Sequence, residues 1–158
     1  VDIHIRRAQA EDYEPVNALI RIGQEEHAAS LPHIFASLDR VVAMGWYRSF
    51  SDQQNKVILV AEAESVLVGA AMLEIKKSPP YDALIPRTYA YMNELAVDPA
   101  YQRRGIGTRL YQAAMEWAKE RGAASLELNV WAFNERAIAF YQSLSMTTLN
   151  LTMSAPIS

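Results

Sequence analysis

The chain has no cysteine, which rules out disulfides, thiolate zinc sites and a cysteine nucleophile together. It has no apolar run near the ~18 residues that a membrane-spanning helix needs. Its first residues, VDIHIRR, carry no apolar leader core, so a cytoplasmic chain with no membrane partner is expected. Nor is there an excess of basic charge: 15 Lys and Arg stand against 18 Asp and Glu, a formal net charge of −3. That balance speaks against a broad nucleic-acid surface. Repeats, low-complexity tracts and linkers are also missing. The 158 residues suffice for one domain with a substantial core and are too few for two. Residues 1–158 are therefore expected to form a single domain.

What is present is concentrated between Tyr89 and Arg121, YAYMNELAVDPAYQRRGIGTRLYQAAMEWAKER. Tyr89 to Val97 reads as a strand. It stops at Asp98-Pro99 because proline brings no amide hydrogen to a ladder and fixes its own φ. Gln102-Arg103-Arg104-Gly105-Ile106-Gly107-Thr108 follows. Then Leu110, Ala113, Ala114, Trp117 and Ala118 recur at helical spacing, up to Gly122. Strand, basic glycine loop and helix are the layout of an anion site. The free amides of a helix's first turn point at the ligand, and the macrodipole favours negative charge there. Gly105 and Gly107 let a phosphate approach the backbone without a Cβ in the way. Arg103, Arg104 and Arg109 concentrate positive charge at the same place. A Walker loop would carry Lys and Ser/Thr after its last glycine, where Thr108-Arg109 stand. A dinucleotide fingerprint would need a third glycine at Leu110 and glycines directly after the strand, whereas seven residues separate Val97 from Gly105.

The remaining pattern supplies strands and helices around this stretch. Ile3 to Arg6 alternates as a short strand, and Glu11 to about Ala29 reads as an amphipathic helix broken at Leu31-Pro32. A second helix is expected over Leu38 to Phe50. Val57 to Ala61 is a buried strand by its continuous apolar run, and Ser65 to Lys76 pairs with it as a hairpin. Lys77 to Pro86, with three prolines, is a loop. After the central strand and helix, Ser125 to Trp131 alternates as a strand. Asn134 caps a helix over Glu135 to Leu144, and Thr147 to Met153 reads as a closing strand. This order makes an α/β fold with a mixed sheet and helices on both faces.

The Q-x-x-G-x-G run behind the ELAVDP strand, with Asn134, Ala137, Phe140 and Tyr141 further on, resembles the GNAT family of N-acetyltransferases over nearly the full chain. The resemblance implies a central, mostly antiparallel mixed sheet flanked by helices, with acetyl-CoA as co-substrate. It assigns the pyrophosphate to the loop Gln102, Arg103, Arg104, Gly105, Ile106, Gly107 and Thr108. It places the pantetheine arm along the main chain of Leu95, Ala96 and Val97, where one amide nearby polarises the acetyl carbonyl. Asn134 would also contact the coenzyme, and Tyr141 would stand beside its sulfur. One departure is visible: the family's Leu-Gly-Phe is Leu144-Ser145-Met146 here. A helix C′ position commonly wants glycine, so serine there should cost ~1 kcal/mol locally.

Acetyl transfer from a thioester to an amine needs a base for the ammonium, donors for the oxyanion and an acid for the departing thiolate. Glu94 is the candidate base, a carboxylate in an otherwise apolar strand whose burial would raise its pKa. The competing reading is a structural carboxylate paired with an arginine or an amide. Strand alternation puts Asn93 on the opposite face from Glu94. Tyr141 is the candidate acid, against a purely packing role beside Phe140. Asn129 is a weaker candidate for a pantetheine contact. His27 has no second histidine at ligand spacing, so no metal is expected. His27, His33, Phe35, Trp46 and the Tyr81 loop are instead expected to line the acceptor pocket. The expected partner is a small-molecule or peptide amine, with a homodimer left open. A non-catalytic acyl-CoA-binding domain and a nucleotide-binding protein using the Gly105/Gly107 loop are the alternatives.

Overall fold

The computed structural model describes residues 2–158. Its centre is the hairpin of β2 (Lys56–Ala63) and β3 (Val66–Lys77), turned at Glu64-Ser65 with φ of 51° and 66°. Two consecutive left-handed residues are what a two-residue hairpin turn requires to match the strand twist. In β2 the run from Val57 to Ala61 is buried on both faces. Around the hairpin, β1 (Ile3–Arg7) pairs antiparallel with β2, and β4 (Thr88–Val97) pairs antiparallel with β3. A short β5 (Leu126–Glu127) adds parallel to β4, giving the order β1-β2-β3-β4-β5. The sheet is mixed and mostly antiparallel, as expected.

Helices cover both faces of this sheet. On one face, α1 (Tyr13–Ser30) and α2 (Met44–Ser51) bury Val16, Leu19, Ile20, Tyr47 and Phe50 against Ile58, Val60, Ala70 and Met72. On the other lies α3 (Ile106–Glu120), burying Ile106, Leu110, Ala114, Trp117 and Ala118. It comes so close that a Cβ on Gly69 would stand 2.9 Å from Leu110 Cδ1. That approach is what the glycine is for. At the start of α1, Asp12 accepts from Arg6 (2.8 and 3.1 Å) and from the Gln9 amide (2.7 Å), which holds its carboxyl below the usual range.

The chain divides into two compact units, Val1–Leu128 and Asn129–Ser158. The second contains α4 (Glu135–Ser143), whose Asn134 cap accepts from the Ala137 amide at 3.2 Å. Its C-terminus closes with Met146 N–H donating to Tyr141 C=O (3.1 Å) and Ser145 N–H to Gln142 C=O (3.0 Å). This is a Schellman closure with C′ at Ser145, whose φ of 68° is the left-handed value expected there.

Three expected elements differ. The second helix starts at Met44 and not at Leu38, because residues 39–42 are bound to α1. The buried Asn17 side chain donates to Asp39 C=O (2.9 Å) and accepts from the Val41 and Val42 amides (3.0 Å each). Those amides are then lost to a helix. Of the strand expected over Ser125 to Trp131, the first unit holds Leu126–Glu127, paired parallel with Ala90 and Tyr91. Thr147 to Met153 forms no strand. Leu149, Leu151 and Met153 alternate as a strand does, and no ladder forms among residues 129–158 themselves.

Candidate functional site

Strand β4 runs in register with β3 from Val97↔Gly69 to Glu94↔Met72, and then slips so that Met92 stands opposite Leu73. Asn93 is the extra residue, a β-bulge. The bulge resets which side chains share a face. Ala96, opposite Ala70, packs on the α1/α2 side, and so does Glu94, opposite Met72. Met92, opposite Leu73, and Ala90 are buried among the other set. Asn93 donates to Glu74 Oε2 at 3.0 Å, and Glu74 lies two residues along β3 from Met72. Asn93 and Glu94 therefore address the same side of the sheet. Alternation had separated them, and the bulge overturns that expectation. Two consecutive polar residues inside an alternating strand were the signal that could have revealed it.

Glu94 is half-buried and has no ion-pair partner among the described residues. Burial alone raises its carboxyl from 4.5 to about 7. No arginine holds it, so the structural-pair reading has no support in the geometry. The carboxyl is instead poised to exchange a proton near neutrality.

Within the first unit, the pairing of β4 with β5 ends at Tyr91↔Glu127. Leu95, Ala96 and Val97 pair with β3 along one edge, opposite Ala71, Ala70 and Gly69; an extended ligand added as a strand would take the other edge. Asp98 then turns the chain. Its carboxylate accepts from the Ala100 amide (2.9 Å) and its amide donates to Val68 C=O (2.8 Å). Arg103 (φ 64°) and Gly105 (φ 77°) are both left-handed, and the Arg104 guanidinium lies 5.1 Å over the Tyr101 ring. Gln102, Arg103, Arg104 and Gly105 are exposed, Gly107 and Thr108 half-buried, and Ile106 is buried.

The first bond of α3 is Arg109 N–H to Gly105 C=O at 3.0 Å, and no side chain caps the helix. The amides of Ile106, Gly107 and Thr108 therefore precede the helical ladder and remain for a ligand. Uncapped amides and adjacent arginines suit a pyrophosphate. The strand, turn and helix expected between Tyr89 and Arg121 form one continuous run, Thr88–Val97 to Ile106–Glu120.

Asn134 and Tyr141 fall in the second unit, at the cap of α4 and two turns along it. Both are half-buried, and the Phe140 and Tyr141 ring centroids lie 5.3 Å apart. Asn129 is exposed. Of the residues expected at the acceptor pocket, His33 and Tyr81 are exposed. His27 is taken up locally, with Nδ1 at 2.5 Å from Gly23 C=O and its ring edge-on to Phe35 at 4.9 Å. Trp46 packs edge-on to Phe50 at 5.0 Å, against the core. Among the described residues no group of three or more His, Cys, Asp or Glu could hold a metal, and no helix is long and apolar enough to cross a membrane.

The mixed, mostly antiparallel five-stranded sheet and the glycine-led helix after its fourth strand agree with the fold that the sequence resemblance implied. The model of the acetyltransferase (GNAT) family matches residues 16–146, and the chain belongs to that family. An uncharacterized N-acetyltransferase of Methanocaldococcus jannaschii is 47% identical over 58 residues, 37% of this chain and 26% of that protein. The chain thus matches well under two thirds of that relative's length. The N-alpha-acetyltransferase RimI of Mycobacterium tuberculosis is 29% identical over 143 residues, 89% of this chain and 84% of that enzyme. The crystal structure of a mutant BH1408 protein from Bacillus halodurans superposes with a TM-score of 0.94 at 28% identity, covering 98% of this chain and 99% of that one.

Proposed function

We propose that residues 1–158 act as one acetyltransferase domain that moves an acetyl group from acetyl-CoA directly to a primary amine. The observation that carries this reading is Glu94. It is an unpaired carboxyl raised to about 7 by burial, on the strand that leads into the uncapped start of α3. In this reading Glu94 takes a proton from the acceptor ammonium, and the amine nitrogen attacks the thioester carbon. The edge of Leu95, Ala96 and Val97 holds the pantetheine arm, and a backbone N–H there stabilises the oxyanion. The pyrophosphate sits on the Gln102–Thr108 loop. As the C–S bond breaks, Tyr141 gives its hydroxyl proton to the coenzyme thiolate, while Asn134 contacts the coenzyme from the cap of α4. No acyl-enzyme is involved, in keeping with the absence of cysteine.

For the acceptor, the likeness to an N-alpha-acetyltransferase favours a peptide α-amine. An α-amine has a pKa near 7.7–8.0, close enough to a carboxyl at about 7 for an efficient proton transfer. The test is thiol release from acetyl-CoA with a panel of peptides, free amino acids, polyamines and aminoglycosides. Turnover with a peptide N-terminus, lost when that terminus is blocked, is the expected result. Tight coenzyme binding with no turnover on any amine would make the chain an acyl-CoA-binding domain. Binding of ATP or NAD in place of coenzyme A would move it to another class altogether.

A further inference from the structure

A bulge is an irregularity that costs a ladder position, so something must hold it in place. Here the extra residue, Asn93, is tied back to β3 by its own side chain, Nδ2 donating to Glu74 Oε2 at 3.0 Å. The other end of the same amide is less well served. Asn93 Oδ1 is buried and has no hydrogen-bond partner among the described residues. An unsatisfied buried carbonyl is a stability cost that native folds rarely tolerate without reason. Leucine or valine at this position would avoid that cost and suit a strand better. What the asparagine supplies, and those residues cannot, is the bond to Glu74. That bond sits immediately before Glu94, at the point where Met92 turns to one face and Glu94 to the other.

We propose that Asn93 is a positioning residue: its bond to Glu74 locks the β4 bulge and so fixes where the Glu94 carboxyl points. The inference deepens the base assignment and rests on it for its consequence in catalysis. If the latch is opened, the bulge can migrate along β4, a one-residue slip that moves side chains between faces. Glu94 then samples more water and loses the burial that sets its proton affinity. On the α1 side of the sheet, which Glu94 faces, the other charged groups of the packed elements are Lys76 of β3 and Glu14, Arg21, Glu25, Glu26 and His27 of α1, while α3 and its charges lie on the opposite face. Lys76 lies 4.4 Å over the Tyr91 ring. Arg21 engages Glu25 and Asp39, and Glu14 engages Arg40. None of them contributes to the displacement of Glu94, which comes from burial. A change in its titration on opening the latch therefore reports hydration.

The experiment is a carbon-13 carboxyl NMR titration of the full chain, with the Glu94 signal assigned by its loss in Glu94→Gln. Asn93→Ala and Glu74→Ala should each bring the Glu94 midpoint down by about one unit or more, toward the solvated value. Glu74→Gln keeps an acceptor oxygen and should hold the wild-type midpoint. The Asn93→Ala/Glu74→Ala double variant should shift no further than either single, because both remove one bond. In turnover, the acid limb of the pH–rate profile should follow the NMR midpoint, with kcat falling roughly tenfold and the KM for acetyl-CoA unchanged. An unmoved midpoint in both single alanine variants, or additive shifts in the double, would overturn the latch. Because the titration needs no turnover, it decides this point even if the acceptor panel denies Glu94 its role as base. Conversely, a shifted midpoint with an unmoved acid limb would keep the latch and remove the base.

Discussion

Glu94 is expensive to keep. Its folded pKa of about 7, against 4.5 ordinarily, means that the native state binds this proton more tightly than the unfolded chain does. Stability from this group is therefore greatest in acid, falls as pH rises from 4.5 to about 7, and stays low above that. The loss is on the order of 3 kcal/mol at 1.36 kcal/mol per unit. Glu94→Gln should consequently raise the melting temperature at pH 8 and change it little at pH 4. It should also lower turnover at neutral pH by about 10²–10⁴, the usual worth of a general base. Thermal melts at the two pH values, beside initial rates, check both halves. A variant that melts lower at pH 8 would mean that Glu94 is a structural carboxylate after all. Tyr141 is expected to behave differently, since only its hydroxyl is chemical. Tyr141→Phe keeps the ring contact with Phe140, so melting temperature and acetyl-CoA affinity should hold. Turnover should drop by about tenfold, equivalent to about 1.4 kcal/mol of transition-state stabilisation. Unchanged turnover with weakened binding would make the hydroxyl a structural group.

At the scale of elements, the start of α3 makes the sharpest demand. Gly107 lies in the first turn, among the amides that precede the ladder, and a bulky side chain there would stand between them and a phosphate. Gly107→Val should abolish acetyl-CoA binding in calorimetry while circular dichroism shows a folded chain. Arg103→Ala and Arg104→Ala should weaken binding more mildly and make it less sensitive to salt. Full affinity in Gly107→Val would remove the loop from the coenzyme site. This run was legible in the sequence because its signals are local: proline after the strand, glycines in the turn, apolar residues at helical spacing. The strap before α2 was not, since Leu38 to Val42 has an acceptable helical pattern and only Asn17, more than twenty residues away, claims its amides. The bulge at Asn93 was missed for the same reason. Register depends on β3, and the strand's own residues carry only one local sign of the slip, the adjacent polar pair Asn93-Glu94.

For the whole molecule, the order of elements and the mixed sheet could be read from periodicity and turn chemistry. Leu149, Leu151 and Met153 carry a strand's alternation, and nothing in that alternation says whether a partner stands opposite. The prediction at this scale is that Val1–Leu128 and Asn129–Ser158 behave as one domain. The proposed chemistry requires it, because Glu94 belongs to the first unit while Asn134 and Tyr141 belong to the second. Calorimetry of the full chain should then show a single transition, with calorimetric and van't Hoff enthalpies in agreement. Trp117 reports from the first unit and Trp131 from the second, so fluorescence of single-tryptophan variants should trace the same curve. Acetyl-CoA at 100 times its Kd should add about 2.7 kcal/mol to the native state. For a chain of this size that moves the midpoint by about 5–11 °C, and in a single domain both tryptophans must move together. Two transitions, with only the Trp117 curve shifted by the coenzyme, would leave the second unit outside the catalytic domain and take Tyr141 with it.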